Sequence, residues 1–170
     1  MSTAVRRVVL SCMLLMACGA PTASGPAPGP VATYGGACTS RGGLPDPSCT
    51  PGDADPRVTQ DNVHSTICRR GYTRAVRPPL QESHRLKVAL TRAYGIGNVP
   101  FSKVELDHLI PLSLGGSSDV KNLWPQFRSG PASVDDKDAI GSSLNRKVCS
   151  GQLSLRAAQR AMATNWRTAG

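Results

Sequence analysis

Four cysteines do most to limit what this chain can fold into: Cys38, Cys49, Cys68 and Cys149. An even set in an exported chain argues for disulfides over thiol chemistry, and no Cys-x-x-Cys spacing suited to a metal occurs among them. Three pairings are open. We favour Cys38 with Cys49 as a local staple, and Cys68 with Cys149, which fastens the segment ahead of the domain to the end of a later helix. Crosslinks matter here because aromatic residues make up only 4% of the chain, leaving the core to Leu, Ile, Val and Ala with anchors such as Trp124 and Trp166.

The export context comes from the N-terminus. Arg6 and Arg7 precede Val8-Val9-Leu10-Ser11-Cys12-Met13-Leu14-Leu15-Met16-Ala17, the charged and then apolar run of a secretory signal, too short to span a bilayer. Leu15-Met16-Ala17-Cys18 resembles a bacterial lipobox, which makes Cys18 the expected lipidation site. Residues 19–35, rich in Pro, Ala, Gly, Ser and Thr, read as a tether. The expected organisation is a signal peptide over residues 1–17, a lipid-anchored or flexible lead-in over 18–60, and one domain over 61–170. The mature protein then faces the periplasm or the cell exterior, held to a membrane only by its lipid, with a soluble secreted form as the alternative.

Periodicity places the elements. Residues 80–94 predict a helix with Leu86 and Leu90 buried, stopped by Gly95; residues 104–112 and 123–126 predict the strands of a hairpin. Residues 133–149 predict a further helix, with Ser133 as N-cap, Asp135, Asp136 and Asp138 at its positive end, and Ile140, Leu144 and Val148 facing the core. A last helix runs from Ser154 and carries Leu155, Ala158, Met162 and Trp166 at core spacing.

Charge suggests a partner. Without Arg6 and Arg7, 18 basic residues face 11 acidic ones, net +7, and residues 68–103 hold eight basic residues against the single Glu82. Arg69, Arg70, Arg74, Arg77, Arg85, Lys87 and Arg92 are candidate phosphate contacts of the sequence-independent kind, which weaken steeply with salt.

The chemistry-bearing stretch is Glu105-Leu106-Asp107-His108-Leu109-Ile110-Pro111-Leu112, followed by Gly115-Gly116 and Asn122-Leu123-Trp124-Pro125. An imidazole with an ordinary pKa near ~6.5 can take a proton from water at neutral pH, which makes His108 a candidate general base. An ionised carboxylate is a hard oxygen ligand, which makes Asp107 a candidate for holding Mg²⁺ or a similar ion. Neighbours on a regular strand point to opposite faces, so the two share a site only if the strand bends or ends there. Pro111 and the Gly-rich turn supply a reason for it to do so. His64 and His84 have no metal-type partner nearby and are read as surface or structural residues.

This stretch resembles the His-Asn-His (HNH) endonuclease family. Leu44-Pro45-Asp46-Pro47, Ser65-Thr66-Ile67-Cys68, Val76-Arg77-Pro78-Pro79, Asn122-Leu123-Trp124-Pro125-Gln126 and Val148-Cys149-Ser150-Gly151 extend the likeness to small secreted bacterial proteins of HNH type, over roughly residues 44–168. The resemblance implies an α+β fold: a small ββα-metal core of hairpin and helix with flanking helices. It gives Asn122 the task of orienting the loop beside His108, and Asn145 the place of the third member, a metal ligand with Asp107. It implies a metal-dependent nuclease, with Mg²⁺ or Mn²⁺ as cofactor, acting as a monomer on DNA or, second, RNA. Gly141, Ser142 and Asn145 stand where that group carries Glu, Asn and often His. These departures support an alternative, a non-catalytic envelope lipoprotein of the same fold that binds nucleic acid or a protein.

Overall fold

The computed structural model describes residues 38–170. The expected signal peptide, Cys18 and the tether lie outside the described residues. The elements are α1 (Tyr72–Val76), α2 (Leu80–Ala93), β1 (Val104–His108), β2 (Leu123–Phe127), α3 (Val134–Cys149) and α4 (Leu155–Asn165), joined in places by short 3₁₀ turns. The fold is α+β. Its sheet is the antiparallel hairpin β1–β2, with Val104 opposite Phe127 and His108 opposite Leu123.

The two faces of the hairpin are covered by different helices, as alternation along a strand requires. Leu106 and Leu123 meet Leu86 and Leu90 of α2 in a small apolar cluster. Trp124, the next residue on β2, joins the main core with Leu144 and Val148 of α3 and Leu155, Ala158 and Met162 of α4. Helix α3 starts where the sequence places its cap: Ser133 Oγ accepts from the Asp136 amide, and Asp136 returns a bond to the Ser133 amide at 3.0 Å. Such a reciprocal cap satisfies two amides that a helix start leaves without partners.

Both favoured disulfides are formed, Cys38–Cys49 and Cys68–Cys149. The second ties the 3₁₀ segment around Gln60–Ser65 to the last residue of α3. Trp166 is buried and donates its indole N–H to the Gly43 carbonyl at 3.0 Å, so the C-terminal segment is pinned to the beginning of the described chain.

Two boundaries differ from expectation. The domain does not start at residue 61: Cys38, Cys49 and Val58 belong to the main core, and the Gly52 and Asp55 amides donate to Lys121 and Gly115 carbonyls at 3.0 and 2.8 Å. This segment is held by a disulfide and by backbone bonds, neither of which leaves a periodic pattern. The first strand also stops at His108 and does not run on to 112. Past it, the Leu109 amide donates to the Asn122 backbone carbonyl and the Ile110 amide to the Asn122 side chain, which draws the chain out of the ladder.

Candidate active site

Asn122 organises the turn out of the hairpin. It is fully buried, and its Oδ1 accepts from the Ile110 amide at 2.8 Å and the Asp53 amide at 3.3 Å. Its Nδ2 donates to the carbonyls of Ile110 at 2.9 Å and Ser117 at 2.8 Å. A buried carboxamide with two donors and two acceptor positions is thereby satisfied in full. Gly116 makes this approach feasible: a Cβ there would come within 1.7 Å of the Ile110 carbonyl oxygen and 2.8 Å of Asn122 Nδ2.

Asp107 and His108, the last two residues of β1, border the same cleft, as do Glu105 and Leu106 before them. Arg77, Glu105, Ser113 and Asp138 complete much of its polar lining, and the cleft has a volume of about 140 Å³. His108 is half-buried, and its Nε2 lies 3.0 Å from Ser118 Oγ. Burial lowers its pKa to about 4; the neighbouring Asp107 pulls the other way, while Lys137 and Arg77 add to the lowering. The imidazole is therefore neutral at pH 7, the state a general base needs, although a base this weak is below the optimum for proton abstraction. Asp138 is held above the usual carboxylate range, first by burial and then by the charge of Asp107.

Asp107 is already paired. Its Oδ2 lies 2.7 Å from the ammonium of Lys137, whose side chain is 1% exposed against 11% for Asp107. The distance is that of a strong bond, yet neither atom has a hydrogen-bond partner of acceptable angle. The contact is one of charge, short and poorly directed.

Asn145 stands behind the cleft wall, bonded to Ser113, which lines it. Its Nδ2 donates to the Ser113 carbonyl at 2.7 Å and the Ile67 carbonyl at 3.4 Å, bracing α3 against the loop after β1 and the chain before Cys68. It is not among the residues that line the cleft. The expected ligand pair thus consists of a carboxylate bound to an ammonium and a carboxamide whose nitrogen is tied to backbone carbonyls. Among the described residues no three His, Cys, Asp or Glu side chains gather to hold an ion. As arranged, the Asp107 oxygen nearest Lys137 is taken by an ammonium, which does not suit a resident divalent metal on that atom.

The basic residues separate by environment. Arg77 reaches the cleft, whereas Arg69 and Arg70 border a separate hollow near Tyr72, and Arg74 and Arg92 are exposed. Arg85 pairs with Glu82 at 2.8 Å. Lys87 corrects the sequence reading: its ammonium donates to the Phe101 and Val104 carbonyls, each at 2.7 Å, and lies over the Phe101 ring, so it is committed to the fold. His84 packs edge-on against Phe101, and His64 is exposed.

Sequence reasoning missed Lys137 and Asp138. The signal was present for the lysine: the buried stripe of α3 runs Val134, Lys137, Gly141, Leu144, Val148, alternating steps of three and four. Reading back from Val148 lands on a lysine in a core position. No protein-family model matches the chain, and no curated protein or solved structure does so either.

Proposed function

We propose that this protein is an exported nuclease of HNH-like type that hydrolyses phosphodiester bonds of DNA, or of RNA, with little sequence preference. The observation that supports it most is that His108 and Asp107, at the end of β1 beside the Asn122 clamp, border one polar cleft with Arg77. In this reading Arg77 pairs with a phosphate oxygen, and neutral His108 accepts the proton of the attacking water. Ser118, 3.0 Å from Nε2, fixes the orientation of the ring. A larger groove of about 570 Å³ lined by Leu80, His84 and Phe101 adjoins the cleft through Arg77 and His108, and offers room for the flanking nucleotide.

The disulfides fit a non-reducing, exported setting, and none of the described helices is long and apolar enough to cross a membrane. Anchoring through a lipid on Cys18 is part of the proposal. Mass spectrometry of the mature N-terminus tests it, and an unmodified start beyond residue 18 favours the secreted form.

The deciding experiment is plasmid nicking by the oxidised protein, with His108→Ala as reference. Cleavage is expected, with a loss of roughly 10² to 10⁴ in rate for the variant. A chelator arm reads whether a divalent ion, Mg²⁺ or Mn²⁺, brought with the substrate takes part. The second reading, an envelope protein that binds nucleic acid or a protein without turnover, is favoured by the Asp107–Lys137 pair. It takes over if wild type does not exceed the His108→Ala background on plasmid DNA, single-stranded DNA or RNA.

A further inference from the structure

Lys137 is the buried charge that the expected chemistry leaves unused. It stands on the core-facing stripe of α3, between Val134 and Gly141, and its side chain is 1% exposed. An apolar residue there would need no counter-charge. An ammonium carries a desolvation cost, and it stands near the N-terminal, positive end of a helix, where the macrodipole opposes a cation. What offsets both is Asp107, at 2.7 Å across the gap between β1 and α3.

Of the other positions of α3 that face this region, Asp138 brings a second carboxylate to the cleft lining, while Gly141 and Asn145 are constrained. At Gly141, one turn past Lys137, a Cβ would meet the Pro111 ring at 2.9 Å, so a longer side chain enters only if the loop moves. Asn145 does not line the cleft, and its amide nitrogen is tied to the Ser113 and Ile67 carbonyls. A divalent ion on Asp107 would have to sit ~2.0–2.6 Å from the carboxylate oxygens, and therefore close against the ammonium.

We propose that Lys137 is the resident cation of this cleft: its ammonium holds the place beside Asp107 that a divalent metal would otherwise take. Asp107 is then a positioning residue, fixed by a lysine from the facing helix and not a metal ligand. The inference concerns which cation Asp107 binds, so it stands apart from the nuclease reading and survives or fails without it.

The test reads metal affinity and not turnover. The oxidised wild-type chain is titrated with MnCl₂ to about 1 mM, the weak end of protein sites for divalent ions, while its ¹H–¹⁵N spectrum is followed. The amides of Asp107, His108 and Lys137 should broaden no more than exposed amides elsewhere. Lys137→Met should create a site at Asp107, with Mn²⁺ affinity rising about 10- to 100-fold, the range seen when a group touching a metal ligand is changed. Asp107→Asn in the same background should abolish that gain. Selective paramagnetic loss at Asp107 and His108 in the wild type overturns the proposal, as does a folded Lys137→Met chain that gains no Mn²⁺ affinity. If Lys137→Met fails to fold, the wild-type titration decides alone.

Discussion

Two buried polar clusters lie a few residues apart on the same hairpin, and they are built on opposite terms. Around Asn122 every donor and acceptor of one neutral carboxamide meets a backbone partner, with four bonds between 2.8 and 3.3 Å. Between Asp107 and Lys137 two full charges meet at 2.7 Å without hydrogen-bond geometry. The neutral cluster specifies a shape, because each bond has a direction. The charged one specifies a pairing, because Coulomb attraction has little direction and each ion is costly without the other.

The comparison breaks most visibly at Asn122. Asn122→Ala would leave two amides and two carbonyls without their partner, and at about 1–3 kcal/mol for each unsatisfied group a loss on the order of 5 kcal/mol is expected. Urea unfolding measures it. A loss below about 1 kcal/mol would mean that water replaces the side chain and that the loop does not depend on it.

The ion pair should respond with a different signature. Asp107→Leu leaves Lys137 buried alone and Lys137→Met leaves Asp107 so, each with an expected loss of about 3–5 kcal/mol, whereas the double change Asp107→Leu with Lys137→Met should be neutral or stabilising by about 1–4 kcal/mol. Thermal unfolding of the two single variants and the double variant gives the coupling. Additive losses would remove the distinction between the clusters.

Acid sharpens the contrast further. The folded-state pKa of His108 is lowered from 6.5 to about 4, so between those values the unfolded chain binds the extra proton. Stability should therefore be at its full value above pH 6.5 and fall as pH drops toward 4. Asp138, raised by burial, works in the opposite direction at the acid end, because its folded carboxyl takes up a proton first. His108→Phe should flatten the fall between pH 6.5 and 4 in urea midpoints measured across that range; an unchanged slope would locate the effect in another group.

The smallest expected effect lies outside both clusters. Ser133→Ala removes the cap of α3, at about 1 kcal/mol, and should leave the Asp107–Lys137 coupling unchanged. A change in that coupling would mean that the start of α3 sets how close Lys137 comes to the strand.

Much of the fold was legible because its elements obey local rules. The Ser133 cap, the Leu86 and Leu90 pair and the Met162 and Trp166 pattern follow from caps and spacing, and cysteine count gave the presence of disulfides while leaving three pairings open, of which the favoured one is formed. Residues 38–60 were not legible as folded structure, since turns tied by backbone bonds have no periodicity to detect. At the site, Asp107 and His108 were found from chemistry, because a carboxylate beside an imidazole is visible in the sequence. Lys137 was not, since a lysine in a helix is ordinarily solvated and only the burial of its neighbours reveals where it points. Asn145 was placed by the resemblance, at the edge of the α3 stripe, and its hydrogen bonds to Ser113 and Ile67, remote in sequence, left no trace there.

The Cys68–Cys149 bond encloses α1, α2, the whole hairpin and α3 in one covalent ring, with a sequence separation of 81. Outside a cell, where proteases are abundant, that closure changes what a single cut can do. A nick anywhere between the two cysteines opens the ring into a line but releases no piece. The strand bearing Asp107 and His108 and the helix bearing Lys137 stay on one molecule, so a clipped chain keeps both halves of its cleft at high local concentration.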